Sequence, residues 1–141
     1  MRTLLSLGVA STAMLAFSNA AMAQVRFAEP PRVVCAGSQL VVSYVIAGLG
    51  NRLNVDVFTS ADVTLECVRA GRRISEETQR MTTPATHPVN SRGEASGSIF
   101  FRPFNPCTGS DRLVVTYRGI AIEAGNQEII SVVPGSLVCP Q

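Results

Sequence analysis

Arg52-Leu53-Asn54-Val55-Asp56-Val57-Phe58-Thr59-Ser60-Ala61-Asp62-Val63-Thr64-Leu65-Glu66-Cys67 is the stretch that decides the fold class of this chain. Leu53, Val55 and Val57 lie on one side of a two-residue period, with Arg52, Asn54 and Asp56 on the other. Val63, Leu65 and Cys67 repeat the pattern against Asp62, Thr64 and Glu66. A period of two places successive side chains on opposite faces of an extended backbone, so both pieces read as half-exposed antiparallel strands. The inward set is odd-numbered in both, and opposed residues of an antiparallel pair share a face, so facing positions must sum to an even number. A two-residue loop at Ser60-Ala61 would set Val57 against Thr64 on the wrong face. If the two pieces form a hairpin, its loop is Ser60-Ala61-Asp62 or a five-residue version; if they belong to opposite sheets, the segment is an arch.

Before this stretch, Gly48-Leu49-Gly50-Asn51 supplies a turn. Ser38 to Ala47 before that is apolar on both parities, at Leu40, Val41, Val42, Tyr44, Val45 and Ile46, and is the candidate central strand. Val25 to Ala28 and Arg32 to Cys35, divided by Pro30-Pro31, suit a kinked edge strand. On the other side, Ala70-Gly71-Arg72-Arg73 is a turn. Ser75-Glu76-Glu77 either caps a short helix, since a hydroxyl and first-turn acids satisfy free N–H groups and the dipole, or belongs to an irregular strand. Thr82 to Gly93, with Pro84, Pro88 and Asn90, reads as a loop.

Ser96 to Arg102 resumes a strand, and Pro103 to Asp111 is a proline-broken crossing that holds Cys107. Arg112 to Glu123 is apolar at Leu113, Val115 and Tyr117, then at Ile120 and Ile122; Gly119 shifts the alternation by one and marks a bulge. Gly125-Asn126 makes a turn, Glu128 to Val133 a last strand, and Pro134-Gly135 a tail ending at Cys139. Valine, isoleucine and threonine make up 31 of residues 24–141, against six leucines, which favours pleated sheet. Seven to eight strands divided by turn signals predict an all-β antiparallel β-sandwich, immunoglobulin-like or Greek-key.

Met1 and Arg2 give a positive start, Leu4 to Phe17 an apolar run, and Ala21-Met22-Ala23 a small-x-small cleavage site before Gln24. Residues 1–23 therefore read as a secretory signal peptide and residues 24–141 as a single β-sandwich domain. Ser11, Thr12, Ser18 and Asn19 break the run short of a membrane span, which needs about 20 apolar residues. The expected location is secreted or periplasmic, with no membrane span after signal removal.

Cys35, Cys67, Cys107 and Cys139 are an even number, and in an oxidising compartment they read as two disulfides. Zinc wants ligands in close pairs, which these spacings lack, so neither metal nor other cofactor is expected. Loop-closure entropy does not choose among the three pairings: loops of 32, 40 and about 100 residues differ by only ~1 kcal/mol on the same relation.

The segment Ile46-Ala47-Gly48-Leu49-Gly50-Asn51, the strand end Leu65-Glu66-Cys67 with its glycine turn at Gly71, and Asn105-Pro106-Cys107 resemble a group of small secreted bacterial proteins of unknown function. The resemblance covers roughly residues 40–117. Arg69 and Ala70 stand where that group has asparagine-like turn residues, and its glycine- and proline-rich tract is missing. The resemblance implies no activity. It does imply that Cys67 pairs with Cys107, leaving Cys35 to join Cys139 in a nested arrangement; Cys35 with Cys67 and Cys107 with Cys139 is the alternative.

All twelve basic residues are arginine, which excludes Schiff-base and lysine general-base chemistry. A net charge of +2 gives no basic surface for nucleic acid. His87 is the only histidine and reads as a solvated loop residue; no nucleophile elbow occurs, and Glu76-Glu77 point to different sides in helix or strand. A catalytic site is therefore not expected. Binding has better signals. With Phe101 inward, Phe100 and Arg102 face out, beside Phe104, and an exposed aromatic with arginine is typical of interface hot spots. The bland alternative has Phe100 covering a second apolar face and Phe104 plugging the end of the sandwich. Arg69, Arg72 and Arg73 around one turn are a second candidate surface, for an anionic partner, unless Glu76 and Glu77 merely balance them. The sequence thus predicts a non-catalytic binding or envelope module whose partner is a protein or envelope component. The alternatives are an inhibitor of a secreted hydrolase, acting through the loop Phe104 to Ser110, and third a small secreted enzyme.

Overall fold

The structure is a computed structural model and describes residues 24–125 and 128–140. The expected signal segment 1–23 and the expected turn residue Asn126 lie outside the described residues. The strands are β1 (Arg26–Phe27), β2 (Arg32–Ala36), β3 (Gln39–Ala47), β4 (Asn54–Arg69), β5 (Arg72–Pro88), β6 (Ala95–Phe101), β7 (Arg112–Ala124) and β8 (Glu128–Pro140). The described residues contain no helix, so none is long and apolar enough to cross a membrane.

β3 is the centre of the first sheet, as its apolar character on both parities requires. It pairs with β6 on one edge and with β1 and β2 on the other, since Ile46 meets both Phe27 and Ala95, and Val42 meets both Val33 and Ile99. β1 and β2 are thus one edge strand broken at Pro30-Pro31. The second sheet has the order β5-β4-β7-β8, antiparallel throughout. The inward residues of both sheets form one core: Leu40, Val42, Tyr44 and Ile46 of β3 face Val57, Val63, Leu65, Val115 and Tyr117 of β4 and β7. Tyr117 ties the layers together. Its ring packs on Phe101 at 6.1 Å, and its hydroxyl donates to the Ser38 carbonyl at 2.8 Å.

The stretch around Ser60 departs most from the sequence expectation. Residues 52–67 form neither a hairpin nor an arch: Ser60-Ala61-Asp62 is the middle of β4, which keeps odd residues inward from Val55 to Cys67. The irregularity sits in β7 instead. Ser60 faces Ala121 and Asp62 faces Arg118, so Gly119 and Ile120 together oppose Ala61. Gly119 takes φ +57°, the left-handed conformation that such a bulge requires and that glycine adopts without a Cβ penalty. The one-residue shift read at Gly119 is this bulge.

Ala70 and Gly71, both at positive φ, make the tight turn between β4 and β5, a two-residue loop of the kind whose twist suits a hairpin. Past it, residues 72–88 are all strand, which overturns both the helix at Ser75-Glu76-Glu77 and the loop from Thr82. β5 is an edge strand, where Pro84 is tolerated with its missing N–H turned from the ladder, and the sixteen-residue partner β4 supplies the pairing. The true loop is Val89 to Glu94, where the Asn90 side chain accepts from the Arg92 and Glu94 amides. Residues 134–139, read as a tail, also continue as strand, with Tyr117 opposite Leu137 and Val115 opposite Cys139.

Two disulfides, Cys35–Cys139 and Cys67–Cys107, staple the domain. This is the nested pairing. The first joins β2 to β8 across the two sheets, and the second pins the crossing 102–111 onto β4. Two disulfides fit folding in an oxidising compartment.

Candidate functional site

Alternation along β6 decides how its aromatic end is presented. Ala95, Ile99 and Phe101 point into the core, so Phe100 points out, 46% exposed, beside Val41 of β3 and opposite it in register. Val34 of β2 continues the row at 55% exposed. Arg102, just past the strand, folds its guanidinium over the Phe100 ring at 5.3 Å, a cation–π contact that holds the charge in place. Phe104, two residues on, is 55% exposed. Phe100 does lie along an outer apolar row with Val41 and Val34, as the bland alternative has it, but it stays about half exposed there, and Phe104 is exposed rather than a plug at the end of the sandwich.

The crossing that follows is fixed at both ends. Cys107 is bonded to Cys67, whose side chain is buried, and the Cys107 amide donates to the Asn105 side chain at 2.9 Å. Asp111, its side chain only 2% exposed, receives Arg69 through Nε at 2.7 Å and Nη2 at 3.2 Å. That bidentate pair raises the pKa of the guanidinium, through the hydrogen bond first and the charge second. Of the three arginines at the turn, Arg69 is therefore engaged with Asp111, Arg73 is paired with Glu76, and Arg72 is exposed. Arg69 and Arg72 stand opposite each other in register at the turn, but the charges of Arg69 and Arg73 are met by Asp111 and Glu76. Arg69 instead buttresses the loop that carries Phe104.

His87 lies outside this surface, and in a strand rather than a loop. It sits on the inward side of β5, where Nε2 is hydrogen-bonded to the Tyr44 hydroxyl and the rings meet edge-on at 5.5 Å. Gly97 of β6 leaves room for the imidazole: a Cβ there would collide with the ring. Burial pushes the Tyr44 hydroxyl up to about 12 and the His87 imidazole down, so the neutral pair is the stable one. Tyr117 is likewise pushed up to about 12 by burial. No local pattern marks this pairing, because Tyr44, His87 and Gly97 come from three strands in two sheets.

The surface also has open depressions. One, of about 430 Å³, is bordered by Arg52, Asn54, Asp56, Phe58 and Gly125 on the outer face of β4. Another, of about 310 Å³, is bordered by Glu29, Arg32, Ser43, Tyr44, Gly97 and Ser98. His87 borders neither, and among the described residues no group of histidine, cysteine and carboxylate side chains has a metal-binding arrangement.

In comparison with known proteins, no family model, no curated protein and no solved structure matches the chain.

Proposed function

We propose that the protein is an exported, non-catalytic binding module of the periplasm, envelope or medium, and that it meets a protein or envelope component through Phe100, Arg102 and Phe104. One observation carries this reading. Two phenylalanine rings and a ring-stacked guanidinium stand exposed on one end of a strand whose other face is locked in the core. Such a surface delivers aromatic contact area with little ordering cost, because β6 and the disulfide-pinned crossing are already rigid. The signal segment and the two disulfides support export. The engagement of His87 with Tyr44 and Gly97 supports a packing role for the one imidazole.

The hydrolase inhibitor is the second reading, favoured by the crossing itself. Phe104, Asn105, Thr108, Gly109 and Ser110 are exposed while Cys107 and Asp111 hold the loop from beneath, as a rigid segment entering a cleft would need.

The test is a pull-down with the processed protein from the envelope and medium of its own culture, run beside Phe100→Ser/Phe104→Ser. Capture of a partner that the double variant loses supports the module. Capture of one hydrolase whose activity falls on binding selects the inhibitor. Identical capture by both proteins removes the patch from the account.

A further inference from the structure

An antiparallel sandwich has four outer strand edges, and an unpaired edge is a template for another strand unless something blocks it. Three edges here carry blocks. β5 has Arg72, Arg73, Glu76, Glu77, Arg80 and Pro84 along it. β2 follows Pro30-Pro31, begins at Arg32 and is bonded through Cys35 to Cys139. β8 carries Pro134 within it and ends at Pro140.

β6 differs. Its seven residues, Ala95-Ser96-Gly97-Ser98-Ile99-Phe100-Phe101, contain no charge and no proline, and it pairs with β3 alone. β5 approaches β6 where His87 lies against Gly97, but the two share no backbone ladder. The charges stand just outside the strand: Glu94 before it and Arg102 after it. Glu94 is held only loosely, by Arg92 at 3.7 Å, and Arg102 has no carboxylate within ion-pair distance among the described residues.

This pattern is complementary to itself. When two copies of β6 lie antiparallel about Ser98, Glu94 opposes Arg102 of the other copy at both ends. Ala95 then opposes Phe101, Ser96 opposes Phe100 and Gly97 opposes Ile99, so each pair sets a small side chain against a large one. Every such pair sums to an even number, which keeps inward residues facing inward and outward residues outward across the junction. We propose that β6 is a homodimer edge: two copies of this chain join through it about a two-fold axis at Ser98, extending the β3 sheet from one molecule into the next. The interface is isologous, as a two-fold requires. It holds whichever molecule the Phe100 patch meets.

The processed protein is examined by light scattering across a dilution series, beside four variants. Ser98→Cys places two thiols opposite each other on the axis, and opposed Cα atoms of an antiparallel pair, about 4.5–5.5 Å apart, lie within disulfide reach. It should run as a covalent dimer without reductant, whereas Ser96→Cys, which opposes Phe100, should not. Arg102→Glu sets Glu against Glu94 twice in the symmetric pair and should weaken the dimer about tenfold or more. Adding Glu94→Arg to Arg102→Glu reverses both charges and should restore it. A wild type that stays monomeric at the top of the series overturns the proposal. So does a dimer that Arg102→Glu leaves intact, or one whose charge-reversed double variant is no tighter than the single. Because these readouts concern self-association alone, they fail or succeed independently of partner capture by Phe100 and Phe104.

Discussion

β4 and β5 run side by side from Asn54 opposite Pro88 to Arg69 opposite Arg72, yet they are held by different forces. β4 buries Val55, Val57, Thr59, Ala61, Val63, Leu65 and Cys67, one residue in two along its length. β5 buries none, and residues 72–78 are exposed on both faces. β4 is a strand because its own alternation pays into the core. β5 is a strand because β4 offers it an unbroken ladder and Ala70-Gly71 sets the turn, with Arg80–Asp62 and Thr86–Asp56 contacts on the outer face adding specificity more than stability. Secondary structure can thus be lent by a neighbour, and where it is lent the sequence carries little trace of it.

The sharpest way to break this contrast is to truncate one residue in each strand. Leu65→Ala removes a side chain buried against both sheets and should cost about 2–5 kcal/mol. Ser75→Ala, on the inward parity of β5, should stay within about 0.5 kcal/mol, as an exposed substitution does. Chemical denaturation of both variants measures the difference. A loss above about 2 kcal/mol for Ser75→Ala would show that β5 carries a packing load of its own.

A smaller effect tests the place where β5 does reach the first sheet. Gly97→Ala puts a methyl group into the space of the His87 ring, forcing the imidazole off Tyr44. The expected loss is about 1–3 kcal/mol, the range for overpacking a site that cannot yield freely. Combined with His87→Ala the added methyl should cost almost nothing, because the ring it meets is gone. Additive losses in the double variant would sink this account.

The smallest effect is in the pH dependence. The folded His87 pKa lies below the ordinary value of about 6.5, so the unfolded chain takes up its proton first as pH falls. Stability should therefore decline as pH drops below about 6.5, down through the folded pKa, and should be flat in this residue above it. His87→Gln, which keeps an acceptor for the Tyr44 hydroxyl without titrating, should remove that slope. Denaturation midpoints of both proteins between neutral and mildly acidic pH make the measurement.

The legible parts of the fold are those with their own pattern. β3 showed as central because both of its parities are apolar, β4 showed by alternation, and the bulge showed because Gly119 moves the apolar set of β7 from odd to even. The break at Ser60-Ala61-Asp62 was misleading because polar Ser60 and Asp62 flank a small residue and imitate a turn, although Ala61 keeps the inward parity. β5 was illegible because its ladder is supplied by β4 and it buries no residue of its own. At the candidate surface, parity alone placed Phe100 outward. It could not show that Phe104 is exposed, nor that Arg69 is turned to Asp111 across a gap of 42 residues.

The all-β class, the central strand, the outward face of Phe100 and the absence of lysine chemistry are written in the amino-acid sequence. These follow from side-chain type and a two-residue period, which act locally. That β4 is one strand, that Cys35 meets Cys139 and Cys67 meets Cys107, and that His87 packs between Tyr44 and Gly97 emerge in the folded molecule. Each of those depends on which strands come to lie together, and that is settled by burying one shared core, to which every strand contributes and which no single segment specifies.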